Sequence, residues 1–564
     1  MPGKRLRSQD WFGRDRPDYY HFARRAALRS EGFGGEIFDG RPVIGICNSW
    51  SELNNCNLHL RTVAEAVKRG VWSAGGLPLE FPTISLGEMF MRPTTMLYRN
   101  LMAMDVEESI RANPIDGVVL LCGCDKTTPA QLMGCASADL PAIVVPGGPM
   151  LSGQWRERRL GSGTDGRKLF DLFRTGQLSE EELQEIEGGL ARSAGHCTVM
   201  GTASTMTSLA EALGMTLTGC ANVPAPDSRR LVFAENSGRR IVQMVNEDLR
   251  PSQIMTRKAF ENAMAVDMAI GGSTNAVVHL LAIAGRLNIG LRLDEFDAVS
   301  RRVPYLANVK PSGEFLMEDF FAAGGLPAVM REILQYLHGD AITVTGKTVR
   351  ENVADAPCYD RTVIRPLDSP LHREGGTIIL RGNLAPDGAV LKQTAASPDL
   401  LQHRGPAYVF ENYEQMRQQI ERDDLPVTKD SVLVMKSCGP QGAPGFPEWG
   451  HIPMPRVLLG QGVKDMVRIS DARMSGTSFG TVVLHVAPES AVGGPLALVR
   501  TGDFVDLNAA SRTLTLAVNE DELERRRAAF VRPPLKHERG YGRLFLEHVT
   551  QANLGCDFDF LRAL

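Results

Sequence analysis

The sequence predicts an α/β fold: an N-terminal open α/β domain with a largely parallel sheet, followed by a second, β-rich domain. Three observations carry this. The chain has 564 residues, too many for one hydrophobic core. Short apolar runs alternate with amphipathic stretches through the first half, as they do in open α/β folds. From about Arg365 the texture turns to Gly-rich turns and β-like runs. The division is expected near Leu367-Asp368-Ser369-Pro370-Leu371, where Pro and polar residues interrupt the pattern. That gives domains 1–370 and 371–564.

Val43 to Cys47 reads as the first strand. Leu58 to Ser73 places Val63, Ala64, Val67 and Val71 on one helical face before Gly75-Gly76 ends it, so Cys56 falls in the intervening loop. Met96 to Ala112 reads as helix and Pro114 stops it. Gly117 to Leu121 is a continuous apolar strand, and Gly123-Cys124-Asp125-Lys126 follows at its carboxyl end, where open parallel sheets bind ligands. Pro129 to Ala138 reads as helix and Ala142 to Val145 as strand. Cys197 precedes a helix from about Ser204 to Leu213, whose free amides either face an anion or are capped by Ser204. Gly271 to Asn275, between two apolar helices, is a second such terminus. In the β-rich part, strands are expected at Thr377–Leu380, Ser431–Met435, Val482–Val486, Phe504–Leu507 and Thr513–Val518. No internal repeat or low-complexity segment stands out.

Hydrophobic residues make up 43%, charged residues 23%, and the formal net charge is −4. This is the balance of an ordinary globular protein with no nucleic-acid footprint. No apolar run is long enough to span a bilayer. The basic start, Met1 to Ser8, leads into Asp10 and Arg14 rather than an apolar core, so no secretory signal is expected. Ten cysteines without a short-spacing pattern fit a reducing cytoplasm. Cys47, Cys122, Cys135, Cys220, Cys358, Cys438 and Cys556 read as small buried hydrophobes. Cys124 differs, lying in a loop beside charged residues, where a thiolate can bind metal.

Cys124, Asp125 and Lys126 place a soft ligand, a hard ligand and a convertible lysine side by side. A thiolate suits iron or zinc and a carboxylate suits magnesium or manganese, so two metals are expected at one pocket. Protonated Lys126 would repel a dication; it contributes only as the neutral amine or as a carbamate. Cys56, in Ser49-Trp50-Ser51-Glu52-Leu53-Asn54-Asn55-Cys56, and Cys197, in Gly195-His196-Cys197-Thr198, sit in similarly small, polar surroundings.

With Ser470-Asp471-Ala472-Arg473-Met474-Ser475-Gly476-Thr477, these segments resemble the dihydroxy-acid and sugar-acid dehydratases over nearly the whole chain and in the family's order. The resemblance implies an α/β domain carrying the metals and a barrel-like C-terminal domain supplying Glu448 and Ser475. It implies that Cys56, Cys124 and Cys197 hold an iron–sulfur cluster, [2Fe-2S] as in the sugar-acid branch or [4Fe-4S] as in other members. It implies that Glu88, Asp125, Lys126 as its carbamate and Glu448 hold Mg2+, an all-oxygen set. Ser475 matches the proton-abstracting serine, as an alkoxide stabilised by the metal, and Thr477 orients it or the substrate. Read without the family, Glu88 and Glu448 are solvent-exposed acids, Arg473 is a structural partner of Asp471, and His196, His451 and His485 are hydrogen-bonded structural histidines.

The expected reaction removes a proton from C2 and hydroxide from C3 of an aldonic acid, leaving an enol that becomes a 2-keto-3-deoxy acid. The wording from Gly87 to Asn100 resembles the pentonate and hexonate branch, and Arg92, Thr94 and Thr95 are candidates for a polyol tail. Asn55 departs from the proline that relatives often carry before the first cysteine. Alternatives are a dihydroxy-acid dehydratase of branched-chain amino acid biosynthesis, a phosphogluconate dehydratase, and a non-catalytic iron–sulfur redox protein. The family also implies a homodimer or homotetramer, a small-molecule sugar-acid substrate, and neither nucleic acid nor membrane as partner.

Overall fold

The computed structural model describes residues 5–14 and 18–562, so residues 1–4 of the basic start lie outside the described residues. β1 (Val43–Asn48), β2 (Leu77–Pro82), β3 (Gly117–Cys122) and β4 (Ala142–Pro146) form an all-parallel sheet in the order β2-β1-β3-β4. β1, β3 and β4 are buried at every residue, which is why they read as unbroken apolar runs. Helices Leu60–Ser73, Met96–Ala112 and Thr127–Ala138 connect them, within two residues of the expected bounds.

Helix Leu60–Ser73 packs along Ser228–Glu247 at very close range. A Cβ on Gly70 would stand 1.9 Å from the Glu235 carbonyl oxygen, and one on Gly238 2.2 Å from that of Val67. Glycine at both positions lets the two backbones touch. An insert follows β4: the hairpin β5 (Gly153–Trp155) and β6 (Arg158–Leu160), then helices Thr164–Arg174 and Glu180–Leu190, around its own cluster of Trp155, Leu160, Leu169 and Ile186.

The C-terminal half closes an eight-stranded barrel. Its strands are β7 (Ile378–Gly382), β8 (Ala385–Leu391), β9 (Gln402–Phe410), β10 (Val432–Met435), β11 (Arg468–Ser470), β12 (Val482–Ala487), β13 (Phe504–Asn508) and β14 (Thr513–Leu516). They run in the order β10-β11-β12-β8-β7-β14-β13-β9. The sequence reading omitted β8, β9 and β11. Beyond the barrel the chain returns to the first half: Phe545, Val549 and Phe558 pack with Met96, Leu97 and Val278. Buried Arg99 donates to the carbonyls of Gly555 at 2.9 Å and Cys556 at 2.8 Å.

Candidate active site

The loops that leave the carboxyl ends of the parallel strands converge, where an open sheet offers backbone groups unused by pairing. The loop after β1 carries Cys56, the loop after β2 carries Glu88, and the loop after β3 carries Cys124, Asp125 and Lys126. Cys197 arrives by a different route. Pro149, beyond β4, bridges to His196, the Met150 amide donates to the His196 carbonyl at 2.8 Å, and Gly195 N–H donates to the Asn55 carbonyl at 3.2 Å. The cysteine loops are thereby tied to one another by backbone. The Thr127 hydroxyl accepts the Cys124 amide at 2.9 Å and fixes the turn at the head of its helix.

The barrel contributes two loops. The one after β10 carries Glu448, the one after β11 carries Ser475 and Thr477, and they pair through a Trp449–Met474 bridge and a Gly450 amide to Arg473 carbonyl bond of 2.7 Å. Asn275, at the head of helix Asn275–Arg286, locks them to the first half: its amide nitrogen donates to the Met474 carbonyl at 3.0 Å, to Glu448 at 3.3 Å and to the Thr202 hydroxyl at 2.9 Å.

At the centre lies Lys126, with no exposed side-chain surface. Its ammonium pairs with Glu88 at 3.0 Å, Asp125 at 3.2 Å and Glu448 at 3.0 Å. Burial alone would raise Glu88, yet Lys126, Arg473 and the Thr95 hydroxyl hold it down at about 2. Burial alone would lower Lys126, and its three carboxylates reverse that and raise it. Asp125 is raised, first by burial and despite Lys126, with Glu448 and Glu88 adding to it. The four residues predicted as metal ligands are therefore together, as an ion cluster rather than as exposed surface acids.

The three thiols are also neighbours. Cys56 is held well above its ordinary range, first by its hydrogen bond with Cys124, then by burial and the charges of Cys124, Cys197 and Asp125. Burial, then Asp125 and Cys124, push Cys197 up to about 12, against a bond from Ser162. Among the described residues no group of three or more His, Cys, Asp or Glu side chains stands at metal-holding spacing. The donor chemistry nevertheless fits both groups. Three oxygen ligands already converge on one cationic atom, and Cys56 and Cys197 are both held up as thiols by their neighbours, a penalty that a cation would relieve.

Several side chains differ from expectation. Arg473, fully buried, pairs with Glu448 at 3.0 Å and donates to the Phe446 carbonyl at 2.8 Å; Asp471 instead accepts the Cys438 amide and the Ser490 amide and hydroxyl. Thr94 and Thr95 are buried and bond to Glu88, so they hold a carboxylate and do not line a polyol tail, while Arg92 is exposed. Ser204 does not cap its helix, which begins at Gly201 and Thr202; its hydroxyl donates to the Val199 carbonyl at 2.9 Å. Neither ring nitrogen of His485 has a hydrogen-bond partner among the described residues, and the ring packs on Phe446. Cys358 is half-buried, unlike the other six cysteines read as core. Ser475 lies 3.0 Å from the Thr477 hydroxyl. Arg167 of the insert, which the sequence reading passed over, donates to that same hydroxyl at 2.7 Å. A lone arginine in an amphipathic helix carries no signal that could have marked it.

Comparisons with known proteins agree over the full length. The dihydroxy-acid/6-phosphogluconate dehydratase N-terminal family model matches residues 41–352, and the C-terminal model of the same name matches residues 362–556. The chain is 53% identical to the L-arabinonate dehydratase of Rhizobium leguminosarum, over 99% of this chain and 96% of that one. It is 52% identical to the 6-deoxy-6-sulfo-D-gluconate dehydratase of Pseudomonas putida, with the same coverage. A dihydroxy-acid dehydratase from Ignicoccus hospitalis stands further off, at 42% over 97% of this chain and 99% of its own length.

Proposed function

Because this chain belongs to the dihydroxy-acid/6-phosphogluconate dehydratase family and is a hydro-lyase of that kind, we propose that its substrate is an aldonic acid, converted to the 2-keto-3-deoxy acid. The observation that carries the substrate class is the identity of 52–53% to sugar-acid dehydratases against 42% to a dihydroxy-acid dehydratase.

In this reading Glu88, Asp125, Glu448 and Lys126 as its carbamate hold Mg2+, and Cys56, Cys124 and Cys197 hold an iron–sulfur cluster, [2Fe-2S] by preference over [4Fe-4S]. When bound, these groups supply Lewis acidity at the oxygens on C2 and C3. Carbamylation would turn Lys126 from the cation that pairs with three carboxylates into a fourth oxygen ligand. Ser475, as the alkoxide, takes the C2 proton on its side-chain oxygen, with Thr477 3.0 Å away to orient it. Asn275 and Arg473 hold Glu448 and the serine loop in register. The C2–H and C3–O bonds break, water leaves, and the enol tautomerises with no change in overall oxidation state. No helix among the described residues is long and apolar enough to cross a membrane, and a cytoplasmic homodimer or homotetramer completes the proposal.

The test is 2-keto acid formation by anaerobically reconstituted protein with magnesium. The panel is L-arabinonate, D-xylonate, D-gluconate, 6-phosphogluconate and 2,3-dihydroxyisovalerate. A free aldonate turned over fastest supports the reading. Preference for 6-phosphogluconate or dihydroxyisovalerate moves the enzyme to another branch of the family, and reversible redox cycling without any keto acid would leave an iron–sulfur redox protein.

A further inference from the structure

We propose that Arg167 is a positioning residue that sets the direction of the hydrogen bond between Thr477 and Ser475, so that Thr477 donates and Ser475 accepts. The inference rests on the dehydratase reading above and adds to it a residue contributed by the insert.

The insert meets the serine loop at close range. The Thr164 hydroxyl donates to the Thr477 carbonyl at 2.7 Å, and Arg167 Nη1 donates to Thr477 Oγ1 at 2.7 Å. Lys168 stands over the Phe479 ring, 5.0 Å from its centre. Gly163, at φ +74, permits this approach, because a Cβ there would stand 2.2 Å from Thr477 Oγ1. The same Arg167 nitrogen also donates to the Gly163 carbonyl at 3.2 Å, which anchors the guanidinium at the head of its own helix.

A guanidinium has donors and no acceptor, so Thr477 Oγ1 must accept from it. A hydroxyl that accepts from a cation becomes a stronger donor through its own proton. The partner in reach of that proton is Ser475 Oγ at 3.0 Å, and the Thr477 backbone amide points at the same oxygen from 3.5 Å. Ser475 Oγ therefore sits at the receiving end of two donors, as an oxygen that must carry negative charge requires. Burial lowers the Arg167 pKa, and Glu448, Cys197 and Asp171, which face it, oppose that shift; a guanidinium remains charged in either case. Without Arg167, Thr477 could equally accept from Ser475, and the serine would lose its orienting donor.

The experiment uses the reconstituted holoenzyme with an aldonate that the wild type turns over, and compares Arg167→Met, Arg167→Lys, Thr477→Val and the double variant Arg167→Met/Thr477→Val. Arg167→Met should lower kcat about tenfold or more, with KM changed less than about threefold. The double variant should fall no more than about twofold below the worse single variant, because both changes remove one donor. Arg167→Lys should recover part of the rate, and it keeps charge and stem if the methionine variant folds poorly. The primary isotope effect on kcat with C2-deuterated substrate should rise in Arg167→Met, since proton removal has become the slow step. A raised KM with kcat intact would make Arg167 a contact for the substrate's anionic end and overturn the inference, as would losses that multiply in the double variant. A wild type inactive on every acid in the panel would remove the dehydratase reading itself, an outcome distinct from active wild type with indifferent Arg167 variants.

Discussion

Replacing Lys126 by methionine tests the charge architecture of the site without substrate. Lys126 has no exposed side-chain surface and meets three carboxylates between 3.0 and 3.2 Å, each largely buried. At an effective dielectric of 20, each contact is worth roughly 5 kcal/mol before desolvation. Burying the ammonium costs several kcal/mol in return, so the net value of the cluster is far below the sum. Methionine fills the volume but leaves Glu88, Asp125 and Glu448 facing one another, with Arg473 as the remaining cation paired to Glu448. Removing one partner from a buried ion cluster costs about 3–5 kcal/mol. In chelated, bicarbonate-free protein the urea midpoint should fall by roughly 1 M or more, taking a slope of about 3 kcal/mol/M. Magnesium and bicarbonate together should raise the wild-type midpoint more than magnesium alone, because the proposed carbamylation of Lys126 would change a competitor into a ligand. In Lys126→Met bicarbonate should add nothing. A variant that unfolds at the wild-type midpoint, or that keeps the bicarbonate response, would refute the reasoning.

Three other outcomes are expected. Arg473→Lys cannot keep the forked contacts to Glu448, the Phe446 carbonyl and Thr94; magnesium dependence of activity should shift by about tenfold or more at unchanged fold. Burial pushes Asp267 up to about 7 against the pull of Lys392, which burial lowers to about 8, and among the described residues neither the carboxylate nor the ammonium has a hydrogen-bond partner. Folding then favours protonated Asp267, so its contribution to stability is complete below pH ~4 and is lost as pH rises to about 7; Asp267→Asn should flatten the pH dependence of the urea midpoint across that window, and an unchanged slope would exclude Asp267 as its source. Gly70→Ala gains about 1 kcal/mol of helix propensity but drives a methyl into the Glu235 carbonyl, at an overpacking cost of about 1–3 kcal/mol; calorimetry should show a net loss, and a rise in melting temperature would contradict the close helix contact.

What the sequence made legible follows from how each element is buried. β1, β3 and β4 are covered on both faces and read as unbroken apolar runs, and β12, equally buried, is interrupted only by His485. β8 was invisible because Pro386, Asp387 and Gly388 break its pattern where the strand turns out toward solvent. β9 begins Gln402-His403-Arg404 and buries only its later residues, and β11 spans three residues, too few for any period. At the site, Cys124, Asp125 and Lys126 were singled out by the types of atoms they carry, whereas Glu88, Glu448, Ser475 and Thr477 entered only through the family resemblance. Among the supports, Thr94 and Thr95 were assigned to a polyol tail, Asn275 to a helix terminus, and Arg167 to nothing, because their roles lie in contacts that exist only after the loops meet. Arg167 reaches a residue 310 positions along the chain, and nothing local distinguishes it from a solvated helix face.

The pairing of a first-half ion cluster with barrel loops also sets a schedule for biosynthesis. About 420 residues separate Cys56 from Ser475, which at common ribosomal speeds is roughly 20–80 s of elongation. During that interval the emerging cysteines and carboxylates have no Glu448, no Arg473 and no serine loop to cover them. The tail that packs on Met96 and Leu97 emerges later still. A nascent chain is thus open to oxidants and to competing metals long before it is open to substrate. Loading of the cluster and magnesium proposed above would then be a task for the finished polypeptide, and slow release from the ribosome would be paid in damaged thiols.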